Sequence, residues 1–148
     1  MSKFIEDAPH ADITHRIIGA AMAVHNDLGP GHREEVYHRA MAAKMTAPPF
    51  NLSFEDKPKL PVYDEQGTLV YTYEPDFIAE QAVIAEIKAQ THPLTDDDIA
   101  QVFDYFAASD HKVALLINFG RPRLEWQRLF PPKHVQAHSR RKWGKPPK

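Results

Sequence analysis

The chain has 148 residues, of which 43% are hydrophobic and 26% charged, the balance of one globular domain long enough to bury a core. It contains no cysteine, which excludes disulfides and thiolate-held metals. No apolar run approaches the roughly 18 residues of a membrane span, and the stretch from Met1 to Asp7 lacks the apolar centre of a secretory signal, so a cytoplasmic protein without a membrane partner is expected.

The net charge of −2 conceals an asymmetry. Residues 1–120 carry 9 Lys/Arg and 19 Asp/Glu, whereas residues 121–148 carry 9 and 1. A basic end on an acidic body suits a phosphate-bearing partner, and it equally suits a solubilising tail; charge alone does not choose.

Residues 12–28 read as a helix. Ile13, Ile17, Ala20, Ala21, Val24 and Leu28 recur at three- and four-residue steps. Asp12 is the expected N-cap, and Gly29-Pro30-Gly31 stops the helix. A second helix is expected over 33–45. Its first-turn Glu34 and Glu35 are favoured by the helix dipole, and one of them is a candidate extra acid for a site elsewhere. Glu34 shares a face with Tyr37; Glu35 does not.

Residues 50–56 alternate Phe50, Leu52 and Phe54 with polar neighbours, a strand pattern. Another strand begins at Leu60-Pro61-Val62-Tyr63, and Asp64-Glu65-Gln66-Gly67 turns the chain back through residues 68–73. Pro58 and Pro61 indicate an edge strand or a kink.

The chemistry concentrates between Tyr71 and Ala89. This stretch predicts two strands joined by a tight turn at Glu80-Gln81. Residues equidistant from such a turn lie opposite each other, with Cβ atoms about 4.5–5.5 Å apart. Asp76 and Glu86 are each five positions from Gln81. A three-residue loop sets them face to face, and a two-residue loop offsets them by one. Lys88 shares the face of Glu86, and Ile87 takes the other. Two carboxylates in contact repel unless a proton or cation separates them, and a hard ion such as Mg2+ takes one or two carboxylates plus waters and phosphate oxygens. The same spacing also fits a Lys–Glu pair on a solvated sheet face.

Thr95-Asp96-Asp97-Asp98 starts a helix, with a capping hydroxyl and three acids in the first turn. Its core stripe is Ile99, Val102, Phe103, Phe106 and Ala107. Gln101 and Tyr105 lie four apart beside that stripe, either as a polar flank or as groups reaching the acidic patch. Residues 111–118 form a buried-type strand and 124–129 an alternating final strand. From Pro131 onward Pro, Lys, Arg and His dominate, and an irregular basic tail is expected.

On these residues the chain resembles the GxxExxY proteins, a branch of the PD-(D/E)xK nuclease superfamily. The naming motif is Gly31-His32-Arg33-Glu34-Glu35-Val36-Tyr37, and the superfamily motif is Pro75-Asp76 followed by Glu86-Ile87-Lys88. Gln101-Val102-Phe103-Asp104-Tyr105 is similar to the Q-x-x-x-Y element of RecB-type nucleases and lambda exonuclease. Val24-His25 with Leu28-Gly29-Pro30-Gly31, and Leu115-Leu116-Ile117-Asn118-Phe119-Gly120, look like the family's first helix end and late strand. Each motif is weak alone; together, in order and over residues 12–129, they are specific.

The resemblance implies an α/β, restriction-endonuclease-like core of order α-β-β-β-α-β, a mixed central sheet flanked by helices. Residues 1–130 would form the nuclease-like domain and 131–148 the basic tail. It implies Mg2+-dependent hydrolysis of phosphodiester bonds, with Mn2+ as a substitute, in nucleic acid and preferentially DNA. Metal ligands would be Asp76, Glu86, the Ile87 carbonyl and Glu34; catalytic residues would be Glu34, Asp76, Glu86 and Lys88. Gln101, Tyr105, His25 and Tyr37 would bind or orient the substrate, with His25 and Tyr37 also fitting plain packing roles. His92, just after Lys88, is a polar group without an assigned task. A homodimer is left open. The alternative function is an inactive nucleic-acid- or partner-binding module on the same fold.

Overall fold

The computed structural model describes residues 8–136. Helix α1 spans Ala11–Leu28 and α2 spans Glu34–Thr46. His10, in a left-handed conformation, precedes α1 without a side-chain cap. Asp12 therefore does not cap the helix as expected; its carboxylate accepts from Arg16 Nε at 3.2 Å, one turn on. Gly29 ends α1 at φ 67, a conformation that costs glycine little, and its N–H bonds to the His25 carbonyl at 2.8 Å. The Tyr37 hydroxyl then donates to the Gly29 carbonyl at 2.5 Å, which ties the start of α2 to the end of α1.

Seven strands follow: β1 Phe54–Asp56, β2 Leu60–Tyr63, β3 Leu69–Tyr73, β4 Phe77–Ala79, β5 Val83–Lys88, β6 Val113–Asn118 and β7 Glu125–Leu129. Helix α3, Asp96–Ala107, lies between β5 and β6, and a short helical turn α4, Lys133–Gln136, closes the described chain. The strand expected over 50–56 is only β1. Its first residues instead turn back on α2, with the Phe50 and Asn51 N–H groups on the Ala47 carbonyl and the Leu52 N–H on the Met45 carbonyl.

The main sheet has the order β1-β4-β5-β6-β7. Strands β5 and β6 are parallel, joined through α3, and the other neighbours are antiparallel. Strands β2 and β3 form a separate two-stranded ribbon. The arm expected to run unbroken from Tyr71 into the hairpin is thus divided between two sheets. The break falls at Glu74-Pro75-Asp76, where Pro75 has no N–H for a ladder and the Asp76 N–H is taken by the Glu86 side chain at 3.2 Å. With the ribbon set aside, α2-β1-β4-β5-α3-β6 is the expected α-β-β-β-α-β order.

Side-chain alternation divides the core. Val83, Ala85 and Ile87 of β5, with Val113, Leu115 and Ile117 of β6, pack with residues of α1 and α2 such as Ile17, Ala21, Tyr37 and Met41. Ile84, Ala114 and Leu116 point the other way and pack with Val102, Tyr105 and Phe106 of α3. Both faces are covered, which explains why β6 and the first half of β5 read as continuous apolar runs. Val135 of α4 packs against this second cluster. The remainder of the expected tail, 137–148, lies outside the described residues.

The chain just past β6 is held against the loop that follows β5. Asn118 is fully buried. Its Oδ1 accepts from the Gln90 and Gly120 N–H groups at 3.0 and 3.1 Å, and its amide donates to the His92 carbonyl at 3.1 Å and to Glu125 at 3.2 Å. A Cβ at Gly120 would lie 2.4 Å from the Gln90 nitrogen. Gly120→Ala is expected to destabilise the fold by about 1–3 kcal/mol through backbone overpacking, measured as a lowered midpoint in denaturant unfolding.

Candidate active site

The loop between β4 and β5 contains three residues, Glu80-Gln81-Ala82, because Ala79 pairs with Val83 and Phe77 with Ala85. Glu80 and Gln81 both adopt left-handed backbone, at φ 53 and 57. Of the two loop lengths open from sequence, this is the one that sets Asp76 opposite Glu86. Asp76 is then gripped on both oxygens: Oδ2 accepts the Ile87 N–H at 2.8 Å, and Oδ1 lies 2.7 Å from His38 Nδ1.

Lys88 stands on the same face as Glu86, with Nζ 3.8 Å from its Oε2. That amine donates to Gln101 Oε1 on α3 at 2.6 Å. Tyr105, one turn further along α3, interacts through its hydroxyl with the Glu86 carboxylate. The capping residue Asp98 also belongs to this surrounding: its Oδ2 accepts from the Thr95 N–H at 2.8 Å and from Gln90 Nε2 at 2.7 Å, and it feels the Lys88 charge. Those bonds hold its carboxyl below the usual range against the opposing effect of burial.

Electrostatics follow from burial. The Glu86 and Lys88 side chains are 6% and 16% exposed. Burial first, and the Asp76 charge second, push the Glu86 carboxyl up to about 8, although Lys88 pulls in the opposite direction. Burial and the Glu86 charge likewise push the Tyr105 phenol well up. Glu34 is solvent-accessible at the first turn of α2, yet the surrounding protein and the Asp76 charge raise its carboxyl. It faces the cluster electrostatically but makes no hydrogen bond or ion pair among the described residues. Glu35 turns away to Arg39 and Lys57, at 3.3 and 3.5 Å.

Asp76, Glu86, Lys88, Gln101 and Tyr105 therefore meet, with Glu34 at the margin. Two expected site residues do not join them. His25 Nε2 is 2.9 Å from the Arg121 carbonyl. Tyr37 is fully buried and stacks on Phe119, with ring centroids 4.8 Å apart. Both brace the core beside the Gly29–Gly31 turn. His92 turns its Nδ1 to the Pro93 carbonyl of its own loop. His38, which the sequence did not single out, bridges Asp76 to Asp56 of β1. The available signal was its position one turn after Glu34, on the face of α2 that meets the sheet.

Among the described residues no group of three or more His, Asp or Glu side chains converges as a metal site. The donor set nevertheless fits a hard divalent cation. Two adjacent carboxylates, both largely desolvated, offer only oxygen and carry charge that one proton or one cation relieves. Mg2+ uses one or two such ligands and keeps waters in its remaining positions.

An antiparallel strand pair thus sets an aspartate against a Glu-x-Lys run, on a mixed sheet between helices. The sequence profile of the PD-(D/E)XK nuclease superfamily matches residues 11–129, from the start of α1 to the end of β7, and the chain belongs to that superfamily. No curated protein matches the chain. Among solved structures, one described as the crystal structure of SSO0001 is similar at 18% identity and a TM-score of 0.49, covering 71% of this chain. This chain spans 55% of that one's length.

A carboxyl raised by burial holds its proton more tightly in the folded than in the unfolded state. Its stability contribution is present below the ordinary carboxylate range and is lost as pH rises toward about 8. The metal-free protein should thus lose stability between pH 5 and 9, by a slope that Glu86→Gln reduces. Melting temperatures of both proteins across this range measure it, and the variant is expected to be the more stable at pH 9.

Proposed function

We propose that this chain is a metal-dependent nuclease of the GxxExxY branch, acting on phosphodiester bonds and preferentially on DNA. The observation that carries the reading is the joining of three separated motif positions. The Asp76 N–H bonds to Glu86 Oε1 at 3.2 Å while Lys88 Nζ stands 3.8 Å from Oε2 of the same carboxylate. Pro75-Asp76 and Glu86-Ile87-Lys88 thus act as one unit.

Asp76 and Glu86 would hold Mg2+, or Mn2+ in its place, with the Ile87 carbonyl and Glu34 completing the set. Such an ion, when bound, would supply acidification of a water and neutralisation of charge on the phosphodiester. Lys88 orients the attacking water and stabilises the negative charge that develops. Gln101, at 2.6 Å from the amine, fixes where Lys88 stands. Tyr105 steadies Glu86 from α3. The preference for DNA rests on the similarity of the Gln101–Tyr105 element to DNA exonucleases.

Incubation with single- and double-stranded DNA and with RNA, with and without Mg2+ or Mn2+, tests the reading. Asp76→Asn, Glu86→Gln and Lys88→Ala should each lower cleavage by about 10²–10⁴-fold while nucleic-acid affinity persists. Metal-independent binding without cleavage of any substrate would favour the inactive module instead.

The basic residues past α4 are proposed to contact phosphates. Arg140, Arg141, Lys142, Lys145 and Lys148 include no acidic neighbour after Gln136. Truncation after Gln136 keeps Val135 on the core and should flatten the dependence of DNA affinity on salt. An unchanged slope in binding titrations at several salt concentrations removes the tail from the interface.

A further inference from the structure

His38 has surroundings that packing alone does not explain. Its side chain is 5% exposed and sits between two carboxylates. Nδ1 is 2.7 Å from Asp76 Oδ1, and Nε2 is 2.8 Å from Asp56 Oδ1. The ring stacks on Phe77, the neighbour of Asp76, with centroids 4.3 Å apart and planes 16° apart. Phe54 meets Phe77 edge-on at 5.0 Å. The imidazole plane is therefore fixed by packing, and its two nitrogens by the carboxylate oxygens that flank them.

Of the three elements that His38 joins, β1 and β4 are also held together near Asp76 by backbone. Asp56 pairs with Phe77 across β1 and β4, and the Lys57 N–H bonds to the Asp76 carbonyl at 2.8 Å. The Asp76 main chain is thereby pinned, but its side-chain torsion is not. Ile87 N–H restrains one carboxylate oxygen; among the described residues His38 is what keeps the other from rotating. A carboxylate oxygen accepts at two lone pairs, so each Asp76 oxygen retains one after meeting its partner in the protein.

We infer that His38 is the positioning residue for Asp76: it holds the carboxylate in one orientation from beneath, with Asp56 holding the imidazole in turn. This rests on the proposed metal-binding reading of the acidic pair. Partners that orient a ligand in this way set how tightly the cation is held, and their loss costs about 10–100-fold in metal affinity.

Two substitutions of similar size separate orientation from packing. The amide of asparagine falls near the position of Nδ1 and that of glutamine near Nε2. His38→Asn therefore keeps a donor toward Asp76, and His38→Gln keeps one toward Asp56. Both remove the ring from Phe77. Mn2+ binding to the full-length protein is measured by calorimetry, with thermal melting alongside. The expected result is a loss of about 10–100-fold in His38→Gln and a clearly smaller loss in His38→Asn, with similar melting temperatures. Equal losses, or Mn2+ affinity unchanged in both, would overturn the inference while leaving the metal-binding reading intact. Absence of saturable Mn2+ binding by the unmutated protein would overturn both. If either variant fails to fold, Mg2+ is titrated into unmutated protein carrying 15N-histidine. His38 ring resonances should then move with saturation more than those of His25, and unmoved resonances overturn the inference.

Discussion

The register of β4 against β5 is the constraint on which the site depends. Ala79 opposite Val83 places Asp76 opposite Glu86, and the alternation of β5 carries Lys88 onto the same face. A slip of one residue would turn Glu86 and Lys88 into the apolar space beside α1 and α2 and carry Ile87 to the face that α3 covers. The register is secured at three levels. Left-handed Glu80 and Gln81 close the loop, Glu80 reaches across to the Ser53 N–H and hydroxyl, both at 2.7 Å, and Phe77, Ala79, Val83, Ala85 and Ile87 bury their side chains together.

That packing creates the electrostatic tension of the site. The apolar core that fixes β5 also removes Glu86 from water, so its carboxylate meets Asp76 with little screening. Lys88 offsets part of the repulsion, but Gln101 shares its amine. Burial and the Asp76 charge together make Glu86 hold its proton far above the ordinary carboxylate range. Packing that steadies the hairpin and repulsion between the two carboxylates are set against each other at Glu86.

Much of this was legible in the chain. Helical periodicity located α1, α2 and α3, and Thr95 with Asp98 forms the full reciprocal cap at the start of α3. The pairing of Asp76 with Glu86 was legible only as one of two registers, because Glu80-Gln81-Ala82 lacks the Asn-Gly or Asp-Gly signal that names a loop length. The break at Pro75 was hidden by the apolar run on either side, which reads as one strand although its halves pair with different partners. His38 was invisible for a different reason. Its two carboxylates come from 18 and 38 residues away, and nothing local distinguishes a histidine that makes such bonds from one that merely packs. His25 illustrates the converse, a histidine in a family-like motif whose ring meets Phe119 and a backbone carbonyl.

The β2–β3 ribbon lies between β1 and β4 in sequence but outside the main sheet. Its tip is closed locally: Asp64 Oδ1 accepts from the Gln66 and Thr68 N–H groups, both at 2.9 Å, and the Gly67 N–H returns to the Asp64 carbonyl at 3.0 Å. The following Leu69, Val70 and Tyr71 remain largely exposed. No hydrogen bond of this tip holds the strand pair that carries Asp76 and Glu86. It is accordingly a natural handle on the molecule, a point where a fluorophore, an affinity sequence or a fused module can be grafted while the β4–β5 hairpin keeps its geometry.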